Sequence, residues 1–500
     1  MRERIKEPLA PEVITYLFNK QVFGHLKRDF KHLMWINNAH AIMLLKQDIL
    51  PKKIIRTLLN ALKEMQRDGI DQIDFDPNLE DTYLNIEYVL IQKVGQEVGG
   101  RLHTGRSRND LYSTMTRLAV REQFLTISKA LLDLREIILN MAHSHSETVM
   151  PGYTHLQPAQ PTTLGHHLVS VAIALERDSS RFLEAYPRLN VNPLGACAFA
   201  GTGFPIDREM TSRLLGFDGL VDSTLDAVAS RDYISELLAT LTIMGITISR
   251  LSQDIYLWCS DEWGIVQVGG DVSTTSSIMP QKRNPFALEH IKAKAGHLIG
   301  ALVSTLTIQK GLNFMHCRDV SYESIVPIWD AFDQSEAMIH LTRRSLIGLQ
   351  IDKELMLKKA SEDFGTATEL ADLMVRDKDI PFRVAHNIVA NVVVRALKQG
   401  LKSNEITTDI IEKAAIEVTG HSINFTAEQV EQALDPVLNL ASKKASGSPI
   451  ESETNRLIDQ ARLNLERHNK VVSNWQAHNE IALHELDNLV DEVTSDQPLS

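Results

Sequence analysis

Residues 116–150 contain neither proline nor glycine. Within them Phe124, Ile127, Leu131, Leu134, Ile138 and Met141 recur at steps of 3, 4, 3, 4 and 3. That spacing lays one apolar seam along a helix, the pattern by which long helices pack into bundles. At about 1.5 Å of rise per residue such a helix runs roughly 50 Å. Pro151–Gly152 is expected to end it. The stretches from Leu225 to Trp258 and from Phe286 to Gly311 read the same way, and alternating apolar–polar runs are scarce. The expectation is a mainly α protein built on a central bundle of long helices.

At 500 residues the chain is too long for one ordinary core. The expected division is an N-terminal helical domain over 1–112, a long-helix bundle over 113–362, and a small C-terminal helical domain over 363–500 with shorter helices. Within the last, FGTATELADLMVRDKDIPFRVAHNIV reads as two helices split at Ile380–Pro381. The final DEVTSDQPLS is polar and is expected to fray. A formal net charge of −12 argues against a general phosphate-backbone binder, so no nucleic-acid partner is expected. No apolar run reaches about 18 residues, and MRERIKEPLAPEV lacks the apolar stretch of a secretory signal, so no membrane partner is expected. Cys197, Cys259 and Cys317 are few, odd in number and far apart, which reads as reduced thiols in a cytoplasmic protein. His143 and His145 lack a partner cluster for a metal, and neither GxxxxGK[ST] nor GxGxxG occurs, so no cofactor is expected.

Three polar segments interrupt the helical runs: HTGRSRND at 103–110, PGYTHLQPAQPTTLGHH at 151–167 and GGDVSTTSSIMPQKRNP at 269–285. In the third, Gly269 and Gly270 allow a mobile loop. The hydroxyls that follow, with Lys282 and Asn284, are groups that bind carboxylate oxygens. A hydroxyl there could also shuttle a proton if its alkoxide were stabilised. By composition alone the segment reads more readily as a polar surface loop.

Residues Ser276 to Pro285, SSIMPQKRNP, resemble the signature loop of the fumarase/aspartase superfamily. HTGRSRND, YTHLQPAQP, NPLGACAFAGTGFPIDRE at 192–209 and FGTATELADLMV resemble its argininosuccinate lyase branch, in order over roughly residues 75–400. The resemblance implies a three-domain fold, no cofactor, and a fumarate-releasing carbon–nitrogen lyase. It also implies a homotetramer whose active sites draw the three segments from three chains. Ser276 would be the base, with Lys282 and Asn284 as donors to the carbanion. Thr154 and His155 would hold a substrate carboxylate, His155 doubling as proton relay. Ser107, Arg108 and Asn109 would form the fumarate-binding edge, Arg108 as a bidentate clamp. Ser277, Met279, Gln160, Arg231 and His316 complete the implied substrate-binding set, with Arg231 balanced between site and structural ion pair. Arg106 is assigned a structural role.

The sequence departs from the family pattern where the amine should bind. FNKQVFGHLKRD places Gln21 and His25 where a serine and an aspartate belong. GLNFMHCRDVSYES places His316, Ser321 and Ser324 where tyrosine, glutamine and lysine belong. EDxH reads Glu80-Asp81-Thr82-Tyr83, and Thr275 replaces a glycine. A guanidinium needs acceptors and its amino-acid carboxylate needs donors, and this set is lost. The expectation is therefore an N-substituted aspartate whose amine is not arginine, of the ethylenediamine-disuccinate type. The alternatives are a true argininosuccinate lyase, acting in arginine biosynthesis, and a silent crystallin-like relative.

Overall fold

The computed structural model describes residues 7–19 and 26–495, so Gln21 and His25 lie outside the described residues. The fold is mainly α. The N-terminal region carries α1 (Leu26–Lys46), α2 (Lys52–Asp68) and α3 (Thr82–Val94). The long helices are α4 (Arg108–Ser144), α5 (Leu164–Leu189), α6 (Asp232–Trp258), α7 (Phe286–Gln309) and α8 (Val326–Ile347). A hairpin of β1 (Val149–Thr154) and β2 (Gln157–Thr163) joins α4 to α5. Then come α9 (Ala367–Lys378), α10 (Phe382–Lys398), α11 (Thr408–Thr419) and finally α12 (Glu451–Thr494).

The seam on α4 faces the bundle core as its spacing requires: Phe124, Ile127, Leu131, Leu134 and Ile138 are fully buried. Phe124 stacks on Phe182 of α5 with centroids 4.9 Å apart. The helix starts earlier and stops sooner than the proline pattern suggests. Ser107 caps its start, and it ends at Ser144, with Pro151 and Gly152 inside β1. The reason is α5, whose first turn crosses the end of α4 so closely that a Cβ on Gly165 would lie 2.6 Å from the Ser146 Cα. The expected helix from Leu225 is likewise interrupted, at Ser230–Arg231.

Helix α6 is apolar and long enough to cross a membrane by length and composition, which the run-length argument overlooked. Here one face of it packs into the bundle core, with Ile234, Leu237, Leu241, Met244 and Ile248 buried.

The largest correction concerns 363–500. A small core does form, from Ala367 to Leu434. Helix α12, however, has 44 residues and is not part of it. Its Ile458, Ala461, Leu465 and Val472 join the bundle core, and its Leu486, Val490 and Val493 join the core of α1–α3. The thin seam along α12, broken by Asn and His, is enough because its apolar positions are shared between two cores along its length.

The small C-terminal unit also braces the hairpin. Gly365 sits against β2 so tightly that any Cβ there would overlap the Ala159 carbonyl oxygen. Gly365→Ala is expected to cost about 1–3 kcal/mol, the usual range for overpacking, read as a lower urea midpoint with an unchanged slope. An unchanged midpoint would contradict this packing.

Candidate active site

The first segment is the head of α4. Ser107 caps the helix: its Oγ accepts from the Asn109 amide (3.3 Å), and its own amide donates to Asp110 Oδ1 (2.9 Å). Asp110 is fully buried, and its Oδ2 accepts from the amides of Gly195 (2.9 Å) and Cys197 (2.8 Å). Burial pushes its carboxyl up to about 6. This acid pins the 192–198 segment to the helix head, a role that sequence reasoning missed. Ser107, Arg108 and Asn109 thus stand at the positive end of a 37-residue helix, where anions are favoured.

Arg108 is not the free bidentate clamp of the sequence expectation. Its Nη1 donates to Asp81 Oδ2 (2.8 Å) and Glu80 Oε2 (3.1 Å). The Asn109 amide group donates to the Ala198 carbonyl (3.0 Å). Both residues line a cavity of about 270 Å³ together with His316 and Ser321. Its walls also hold Arg28, Asp29, Asp81, Arg318 and Trp329, of which Arg28 and Trp329 gave no sequence signal. The Arg28 guanidinium lies 3.7 Å from the Trp329 ring centroid and bonds Asp29 (2.8 Å).

His316 is held down to about 4 by burial and by the guanidiniums of Arg231 and Arg318, so its ring is neutral at pH 7. Its Nδ1 and the Ser321 Oγ are buried without a hydrogen-bond partner among the described residues. Ser324, expected beside them, is instead buried inward: it donates to the Val320 carbonyl (2.8 Å) and accepts from Gln309 (3.4 Å). Arg231 is only 3% exposed. It bonds the Ser230 carbonyl (2.5 Å), while its Nε and Nη2 have no partner. Among the described residues it forms no ion pair, so the structural alternative weighed for it is not realised.

The second segment is the tip of the hairpin. Thr154 pairs with Gln157 across a two-residue turn in which His155 (φ 55°) and Leu156 (φ 59°) are both left-handed. Neither is glycine, and each such residue costs on the order of 1–3 kcal/mol. Tyr153 stacks on Trp263 (4.2 Å) and anchors the base. Thr154, His155 and Gln160 are exposed, projecting beyond the bundle end.

The third segment is a flap on a short ribbon, with Thr274 paired to Asn284 and Thr275 to Arg283. Thr275, in place of glycine, sits in this ladder. Arg283 ties the base to Ser273 (3.2 Å) and to the Val268 carbonyl. At the tip, Ser276 Oγ accepts from the amides of Met279 (3.0 Å) and Ile278 (3.3 Å). Two amides aimed at one hydroxyl oxygen favour its anionic form. Lys282 Nζ donates to Asn284 Oδ1 (2.6 Å). Ser277, Met279 and Lys282 are exposed. Lys282 lines a separate hollow with Gln281 and Asp352, and no residue of the second or third segment is on the wall of the Arg108 cavity. Among the described residues, no three His, Cys, Asp or Glu side chains gather as metal ligands would.

Residues 20–300 match a family model described as lyase, and residues 364–441 match one described as argininosuccinate lyase C-terminal. Argininosuccinate lyase 1 of Shouchella clausii is 42% identical over 91% of this chain and 92% of its own length. A crystal structure of EDDS lyase in complex with formate superposes with a TM-score of 0.88 at 34% identity, covering 98% of this chain and 96% of the other. An EDDS lyase variant with bound fumarate gives 0.87 at 34% identity, covering 98% and 97%.

The neutral histidines at this end of the bundle set an acid limit. Burial and neighbouring guanidiniums hold His103 and His316 at about 4, against an ordinary value near 6.5. As pH falls, the unfolded chain takes up these protons first. The stability they contribute is whole above pH 6.5 and drains away toward pH 4. The urea midpoint is expected to fall between pH 7 and 5, and to fall less in His316→Gln. An identical fall in that variant would contradict the burial of a neutral ring.

Proposed function

The chain belongs to the argininosuccinate lyase family of the fumarase/aspartase superfamily and is a carbon–nitrogen lyase; from that premise we propose that it cleaves an N-substituted aspartate to fumarate and an amine other than arginine. The observation that carries the substrate half is the pairing inside the Arg108 cavity. Its acids, Asp29 and Asp81, are already bonded by Arg28 and Arg108. A guanidinium entering there meets three arginines and a neutral imidazole rather than free carboxylates. The amine released from an ethylenediamine-disuccinate-type substrate keeps two carboxylates, which are groups that such arginines bind.

In this reading Ser276 takes the proton from the carbon next to one carboxylate. Its Oγ is suited to the task because the amides of Ile278 and Met279 stabilise the charge it carries between turnovers. The electron pair left on carbon spreads into that carboxylate, where Lys282 and Asn284 supply donors. The pair then closes the carbon–carbon double bond as the carbon–nitrogen bond breaks; the substrate nitrogen, already protonated, takes the bonding pair and leaves as the neutral amine, and Ser276 gives its proton to solvent before the next turnover. Thr154 and His155 hold a carboxylate from the hairpin tip, and Ser107, Arg108 and Asn109 receive the other at the head of α4. Ser277, Met279 and Gln160 border the same space, and Arg231 backs it behind His316.

We also propose that the site is completed between chains of a homotetramer. Ile243 and Ile246 on α6, and Ile299, Val303 and Leu306 on α7, are large apolar side chains exposed on the outer face of the bundle. Such a patch on central helices suits burial against copies of itself. A second reading, turnover of argininosuccinate itself, is favoured by the name of the Shouchella clausii relative.

Incubating the purified protein with fumarate and a panel of diamines and amino acids, and separately with argininosuccinate, discriminates the two. Adduct formation with a non-guanidino amine is expected; turnover of argininosuccinate at the rate of a standard enzyme would defeat the proposal. Ser276→Ala is expected to lower fumarate release by about 10²–10⁴-fold, the usual worth of a proton-transfer group, with an unaltered thermal midpoint. Activity within a few fold of the parent would remove Ser276 from its role.

A further inference from the structure

Beneath the first segment lies a buried polar knot that the mechanism does not use. Asn37, His40, Tyr83 and Arg106 are all buried. His40 Nε2 meets the Thr104 carbonyl (2.8 Å), and Arg106 Nη2 donates to Asn37 Oδ1 (2.7 Å). Tyr83, in place of the family's histidine, stands at the centre. Its hydroxyl donates to Glu87 Oε1 (3.1 Å), accepts from Arg106 Nη2 (3.3 Å) and meets His103 Nδ1 at 2.7 Å.

A phenol has one proton and two lone pairs. With its proton on Glu87 and one lone pair on Arg106, the contact to His103 requires the imidazole to donate from Nδ1. The Tyr83 hydroxyl is then saturated, and the tautomer of His103 is fixed. Burial and the charges of Arg106 and Arg108 keep that ring neutral. The same turn of α3 touches α4 twice more. The Tyr83 amide donates to the Tyr112 hydroxyl (3.0 Å), and Asp81 accepts from Arg108 (2.8 Å).

We infer that Tyr83 is a positioning residue for the fumarate edge: its saturated hydroxyl locks His103 and Arg106, and so sets where Ser107, Arg108 and Asn109 stand at the head of α4. This rests on the proposed reading of that edge as the carboxylate site. Tyr83 touches no substrate itself. Removing its hydroxyl leaves Arg106, whose Nε and Nη1 already lack partners among the described residues, with one acceptor fewer and frees the His103 ring to flip.

Titrating fumarate into the purified full-length protein tests this without knowledge of the amine. Tyr83→Phe is expected to weaken the fumarate Kd by about tenfold, since an ångström of misplacement is costly at such sites. If Tyr83→Phe does not fold, Glu87→Ala carries the test from the half-buried end. It deprives the Tyr83 proton of its acceptor, turns that proton toward His103, and should weaken Kd by about threefold. A lowered thermal midpoint with an unchanged Kd in the variant tested would mean a structural role only and overturn the inference. Failure of the parent chain to bind fumarate would overturn both this inference and the proposed function.

Discussion

The stiffness of α4 governs how this molecule can work. At 37 residues it spans about 55 Å. It carries the first segment at its head, and its foot lies a few residues before the hairpin that presents Thr154 and His155. The flap with Ser276 is at the hairpin end too, because Trp263, shortly before it, stacks on Tyr153. His316 is at the other end, lining the cavity with Arg108. Two of the three signature segments thus sit at one end of the bundle and the third sits with the amine-side residues at the opposite end. No bending of a buried, seam-packed helix brings them together. In the account proposed here the missing distance is bridged by another copy of the chain, laid against the apolar outer faces of α6 and α7.

The polar groups around the head of α4 fit the proposed division of labour. Buried donors and acceptors left unsatisfied are costly unless something else completes them, as a neighbouring chain would in the proposed oligomer. Among the described residues Arg231 has no carboxylate, and His316 Nδ1 and Ser321 Oγ have no partner. Arg108, by contrast, is neutralised by Glu80 and Asp81. In the proposed reading an incoming carboxylate shares or displaces those acids, so binding at this edge would be an exchange of ion pairs rather than the filling of an empty clamp. The strained turn at His155 and Leu156 is the other stored element, held by the Tyr153–Trp263 stack below it.

The parts of this arrangement that are periodic or local were legible in the sequence. The seam from Phe124 to Ile138 placed a long helix in a core because spacing alone decides which face is buried. The split at Ile380–Pro381 was equally plain, since proline lacks the amide and disfavours the helical backbone before it that an unbroken helix would need there. Properties set by tertiary approach were not. The end of α4 depends on α5 crossing at Gly165, and the pairing of Arg108 depends on acids 27 and 28 residues away. The inward turn of Ser324 and the long reach of α12 depend on which grooves are vacant. Ser276 was readable as a hydroxyl on an amide-rich loop, but the two amides that converge on its oxygen follow from a turn that composition does not specify.

The most direct test of the shared site is a mixing experiment between two variants disabled at opposite ends of the bundle, Arg108→Ala and Ser276→Ala. Co-expressed in one cell, they assemble at random. Where a site takes Arg108 from one chain and Ser276 from another, about a quarter of the sites in an even mixture receive both intact residues. Fumarate-releasing activity near that fraction of the parent is the predicted result. Hybrid oligomers with no activity above the two inactive parents would contradict the account, because they would place both residues of each site on a single chain.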